Sequence, residues 1–248
     1  KVVTSCAGVR QGKAMILPEQ LPIDTLSTVL FSGLCLLVAF GFLALHGRPS
    51  VRFLLGWGLW LTVPLGLAAS GVSRQLLGTP GVGAYLLVCN GVALACALST
   101  LGQRVLESSP VWVLVGFHCF RLPLELLLHH WFKIGVVPIQ MTYSGLNYDI
   151  VTGMLAIAAA LSCRGRDKKT QWWLVCGFNL VGSALLITVM GIAARSIPWP
   201  LRGFMDEPAL LLPFYAPYTW IVSVCVAGAF WAHGLTFRWL WVQRQSIR

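Results

Sequence analysis

PVWVLVGFHCFRLPLELLLHHWF, residues 110–132, is long and apolar enough to cross a bilayer, yet it carries Arg121, Glu125 and His129. About 20 apolar residues span the hydrocarbon core, so the stretch reads as a membrane helix. At 100° per residue, His118, Arg121, Glu125 and His129 fall within an arc of roughly 80°. A charged group at the centre of a bilayer costs about 2.5–3.5 kcal/mol on insertion scales, and it normally faces a partner or a wet cavity. The stripe therefore marks one side of this helix as interior and polar.

The rest of the chain agrees with a membrane reading. It has 248 residues, 57% hydrophobic and 10% charged, where a soluble domain carries about 25% charged residues. Apolar runs recur at 26–46, 53–70, 82–101, 110–132, 149–163, 172–193 and 208–235. The expected fold is all-α: a polytopic transmembrane helix bundle of about seven spans in one domain, residues 15–248. Spans two and five are short and need flanking residues. Span seven contains Pro208, Pro213 and Pro217, which predict a kink or a broken first turn. Residues 1–14 are polar, basic and aperiodic. They read as a disordered leader or an extension ahead of a start at Met15.

Basic residues set an orientation. Arg48, Arg52, Arg104, Arg164, Arg166, Lys168, Lys169, Arg238, Arg244 and Arg248 fall on one side; Arg74, Lys133, Arg195 and Arg202 fall on the other, joined by Lys1, Arg10 and Lys13 if the leader is native. The positive-inside rule then puts the C-terminus in the cytoplasm and the N-terminus outside. These flanking positions account for the net charge of +10. A basic stripe with interleaved aromatics on a soluble element is absent from the sequence, which argues against nucleic acid as a partner. The eight cysteines lie mostly in apolar runs at spacings that match neither a disulfide framework nor a zinc signature. Gly153, Ala156 and Ala160 give span five a small-residue face suited to close helix packing.

With this orientation, three segments deliver ionisable groups to the outer half of the membrane. Span four brings Arg121, Glu125 and His129. The loop after it brings Asn147 and Asp149, and the last outer loop brings Asp206 and Glu207. Arg121, Glu125, His129, Asn147, Asp149 and Glu207 are therefore the candidate site for a ligand or ion. Structural readings stand beside each one. Arg121 and Glu125, four apart, pair readily on one helix. His129 and His130 suit an interface, and Asp149 suits a helix N-cap. Asp206 and Glu207 before Pro208 suit a helix start. His118 and His233 suit packing; as a haem pair they would need matching depths, and His233 falls near the cytoplasmic end of its span. Glu125 and His129, with Asp149 across from another helix, are the candidate metal ligands. Catalytic residues and cofactor are undefined by the sequence.

Three motif runs resemble a family of small multi-pass bacterial inner-membrane proteins. The Arg-x-Pro-x-Glu run falls on Arg121, Pro123 and Glu125. The Met-Thr-x-x-Gly-x-Asn-x-Asp-Ile-x-x-Gly run falls on Met141, Thr142, Gly145, Asn147, Asp149, Ile150 and Gly153. The Phe-Met-x-Glu-Pro run falls on Phe204, Met205, Glu207 and Pro208. The resemblance covers residues 117 to 240 and implies a bacterial inner-membrane location and no assigned activity. The expected function is an outward-facing polar site that binds or conducts a small ligand or ion. The alternatives are a membrane-embedded metal-dependent hydrolase and a structural subunit with membrane-complex partners.

Overall fold

The computed structural model describes residues 17–47 and 49–247, and among them there is no β-strand. The leader 1–14 and Met15 lie outside the described residues. Among the described residues, six helical stretches are long and apolar enough to cross a membrane: α1 (Thr25–Leu45), α2 (Val51–Ala69), α3 (Gly81–Leu98), the stretch Val111–Lys133, α8 (Lys168–Ser196) and the stretch Ile221–Arg244. A shorter apolar helix, α7 (Ile150–Cys163), is the seventh member. The chain is thus an all-helical membrane bundle.

Local chemistry sets the boundaries. α1 starts where Asp24 accepts the Ser27 amide at 2.8 Å, and α8 starts where Asp167 accepts the Thr170 amide at 3.0 Å. Each carboxylate satisfies an amide that the first helical turn leaves unpaired. The Asp24 carboxyl is held well below the usual carboxylate range by the Ser27 amide first, then by the His130 ring and the Ser27 hydroxyl. Its capping contribution is therefore complete at neutral pH and is lost only as pH falls through that depressed value. Ser99 ends α3 and caps α4 (Thr100–Ser108), a short amphipathic helix.

The fourth span is not one regular helix. It consists of α5 (Val111–Gly116), a 3-10 turn at Phe117–Phe120 and α6 (Arg121–Lys133). Pro123 explains the change of winding, since its ring crowds the carbonyl four residues back, at Cys119 inside the tight turn. The last span differs more from expectation. Residues 208–220 are not a kinked helix start: they run as an irregular segment with one 3-10 turn, Leu212–Phe214. The helix begins as a π-helical turn, Ile221–Val226, and continues as α9 (Ala227–Ile247). Three prolines in 208–217 remove the amide donors an earlier start would need. Pro208 is therefore not the first residue of a helix, and Asp206 and Glu207 are not its cap.

Hydrogen bonds sort the connections onto two ends. At one end Gly78 donates to the Pro198 carbonyl at 2.7 Å, Arg74 to the Glu19 carbonyl at 3.1 Å and Tyr215 to the Pro18 carbonyl at 2.6 Å. Asp24 and His130 pair there at 2.8 Å. At the other end Arg238 donates to the Ser99 carbonyl at 2.7 Å and Trp172 to the Leu240 carbonyl at 3.0 Å. That is the alternation seven crossings require. Trp131 anchors the first end from inside: it is fully buried, lies edge-on to Phe31 at 5.4 Å and to Tyr218 at 5.3 Å, and donates to Ser27 at 3.0 Å. α2 is the outlying member, with Ala68 its one buried residue. Trp60 tethers it to the π turn by donating to the Ser223 carbonyl at 2.7 Å.

Candidate functional site

A string of polar groups runs through the packed interior where α6, α7, α8 and α9 meet. α7 has 14 residues, about 21 Å at 1.5 Å per residue, against a hydrocarbon core of about 30 Å. The segment 134–149 makes up the difference by entering the bundle, where Val137, Met141, Thr142 and Asn147 are buried. Irregular backbone at this depth is tolerated only when covered by protein or lining a cavity. The entry carries Asn147 and Asp149 down to the level of α6.

Asp149 occupies the N-cap position of α7, but its side chain makes no capping bond to a backbone amide. One carboxylate oxygen pairs with Arg121 Nε at 2.6 Å and the other accepts the Thr152 hydroxyl at 3.0 Å. Arg121 is 1% exposed and Asp149 5%. Asn147 links this pair to the next acid: its side-chain carbonyl accepts the Asp149 amide at 3.0 Å, and its Nδ2 donates to both Glu125 oxygens at 3.0 and 2.8 Å. Arg121 and Glu125 are joined through Asp149 and Asn147; the direct i,i+4 pair that their spacing suggests is not formed. The guanidinium, leaving the first turn of α6 just after the 3-10 winding, meets α7 rather than the next turn of its own helix.

On its other side Arg121 Nη1 lies 3.1 Å from His233 Nε2 and 3.4 Å from the Gly182 carbonyl. A guanidinium only donates, so Nε2 is the acceptor and the His233 proton sits on Nδ1. That nitrogen faces the Asn179 side-chain carbonyl at 2.7 Å, which fits. The His233 ring packs against His118 with centroids 4.0 Å apart. His118 is fully buried, and neither of its ring nitrogens has a hydrogen-bond partner among the described residues; the same holds for Arg121 Nη2. Buried polar atoms of this kind are matched by an ordered water, an ion or a ligand.

Sequence reasoning misplaced His233. Counting the last span from residue 208 puts it near the end, away from His118. The helix actually starts at 221, so His233 falls in its middle, level with Arg121. The two rings touch and leave no gap for a macrocycle between them, so they are not the two ligands of one haem. Asn179 and Thr152 were not singled out from the sequence; the available signal was an isolated amide within a long apolar run.

The other candidates lie elsewhere. His129 is half-buried, stacks on Tyr143 at 4.4 Å and comes within 3.4 Å of the Ser144 hydroxyl. It does not reach Glu125 or Asp149 to form a metal set, and among the described residues no group of three or more His, Cys, Asp or Glu could hold a metal ion. Glu207 stays in the 197–220 loop, where its backbone carbonyl accepts Arg202 at 2.7 Å. Of the six candidate residues, Arg121, Glu125, Asn147 and Asp149 converge.

Two glycines make the convergence possible. A Cβ on Gly153 would stand 2.5 Å from the Leu122 amide nitrogen, so this glycine lets α7 press against the start of α6. It belongs to the small-residue face foreseen with Ala156 and Ala160. A Cβ on Gly182 would stand 2.7 Å from His233 Cε1, so α8 leaves room for the imidazole there.

Glu125→Gln is expected to leave folding nearly intact, within about 1.5 kcal/mol, because the amide oxygen still accepts from Asn147. Asn147→Leu removes the link to both acids and should cost more, about 1–3 kcal/mol. Detergent unfolding of the two variants side by side gives the comparison; equal losses would contradict the linking role of Asn147.

The chain belongs to a family described as a domain of unknown function (DUF8737), which it matches over residues 82–241. No curated protein and no solved structure matches it. Every residue of the polar string lies inside the matched stretch, whereas α1 and α2 lie outside it.

Proposed function

We propose that this protein is a multi-pass bacterial inner-membrane protein that binds and conducts a small ion, the proton, with Glu125, Asp149 and His233 as the groups that take it up and Asn147, Arg121 and Asn179 as the side chains that hold them in place. The observation that carries this reading is the buried guanidinium of Arg121 held between Asp149 and His233 inside a membrane bundle. Intramembrane Asp, Glu and His are the usual relay groups, and a costly buried cation is retained where it serves them. Successive members of the string approach within 2.6–3.1 Å, hydrogen-bond lengths that tie the three titratable groups into one network. One guanidinium faces two carboxylates, so uptake of a single proton neutralises the group.

The string begins beneath the 134–149 segment, which lies outside under the positive-inside orientation. The site therefore addresses the outer face first, with the N-terminus periplasmic and the C-terminus cytoplasmic. A membrane-impermeant maleimide is expected to label Ser144→Cys on intact spheroplasts and Arg166→Cys only after permeabilisation; the reverse pattern would overturn the orientation.

Proteoliposomes containing a pH-sensitive dye test the function. The wild-type protein is expected to dissipate an imposed pH gradient, and Glu125→Gln to slow this at least tenfold. Glu207→Gln, outside the string, should match wild type. Wild-type rates equal to those of empty vesicles would refute proton conduction.

A further inference from the structure

At the opposite end of the bundle from the 134–149 segment, a groove opens between α1, α5 and α7, with a volume of about 520 Å³. Its floor is made of small residues: Gly41 and Ala44 on α1, Gly116 at the end of α5 and Ala160 on α7. The walls are apolar. At its mouth stand Trp112 and Arg164, the guanidinium carbon 5.3 Å from the centre of the indole ring. Arg164 is exposed, and the exposed residues Arg166, Lys168 and Lys169 follow it on the same connection. The acid among them, Asp167, caps α8 by accepting the Thr170 amide at 3.0 Å and hydroxyl at 2.6 Å, and against the four cations it leaves this connection with a net charge of +3.

We infer that this groove is a binding site for one anionic phospholipid, with an acyl chain along Gly41, Ala44, Gly116 and Ala160 and the phosphate at Arg164. Three observations fix the occupant. The groove lies between membrane-spanning helices, so an aliphatic chain is the group that meets its apolar walls. Its small-residue floor provides depth for a chain without a polar lining to satisfy. Its one charged rim residue is a cation stacked on an indole, at the level where indoles and headgroups sit together. Basic pockets between membrane helices at the cytoplasmic side recognise anionic headgroups in this way, each cation near the surface contributing about fivefold in affinity. Charge complementarity with Arg166, Lys168 and Lys169 selects an anionic over a zwitterionic lipid. The site is independent of the proton string, whose residues line none of it.

The test is native mass spectrometry of the full chain in detergent with added phosphatidylglycerol or phosphatidylcholine of identical chains. A one-to-one phosphatidylglycerol adduct is expected, with phosphatidylcholine retained at least fivefold less. Arg164→Gln should weaken the phosphatidylglycerol adduct about fivefold, Arg164→Lys should restore most of it, and Ala44→Phe should block it by filling the floor. Ala44 is exposed to the groove and leaves the packed core unchanged, so its variant keeps the proposal testable even if Arg164 variants accumulate poorly. Equal retention of the two lipids, indifference to Ala44→Phe, or full displacement by inorganic phosphate alone would each overturn the assignment.

Discussion

Arg121→Gln is expected to destabilise the protein by about 3–5 kcal/mol, because it leaves Asp149 buried without its counter-charge. The pair is dry, with both side chains nearly inaccessible, so water does not take over the lost partner. Asp149→Asn should cost a similar amount by stranding the guanidinium. The double variant Arg121→Gln, Asp149→Asn should be less damaged than the sum of the singles, with a coupling of about 0.5–3 kcal/mol. Steric trapping or reversible detergent unfolding of the four proteins would measure the cycle. Strict additivity would mean that the two groups act separately and that the string is not a unit.

The second large effect is expected at Gly153. Even Gly153→Ala forces a methyl group to within 2.5 Å of the Leu122 amide, backbone against which no side chain can swing aside. Overpacking a tight core costs about 1–3 kcal/mol and occasionally more. Gly153→Val should exceed the Ala variant, separating α7 from α6 and with it Asp149 from Arg121. Loss of the Arg121–Asp149 coupling energy in the Gly153→Ala background would show that the glycine positions the pair. Unchanged stability in both variants would remove Gly153 from that role.

The helices were legible because apolar length is a strong signal, and six of the seven expected spans return as long apolar helices. The polar stripe was legible for a related reason: Arg121 and Glu125 stand out where charge is costly. What could not be read was which groups they meet. The partner of Arg121 depends on the winding at 117–120 and on how far segment 134–149 sinks into the bundle, and neither leaves a periodic trace. The depth of His233 was misjudged because 208–220 is apolar enough to pass for helix, while its prolines leave it irregular. Glu207 and His129 were grouped with the site by topological end alone, and sharing an end does not fix distance. Asn179 escaped notice because one amide in a long apolar run has no spacing to betray it.

The hydrogen bond that assigns the His233 proton to Nδ1 also ties the ring's protonation to the position of Arg121. Its Nε2 lone pair is occupied by Arg121, so a second proton can land there only when the guanidinium withdraws. Withdrawal in turn changes the company of Asp149. Under the proposed proton uptake, ring charge, arginine position and carboxylate pairing would therefore change together. The stacked His118, whose ring nitrogens have no hydrogen-bond partner among the described residues, lies against the ring whose charge would change.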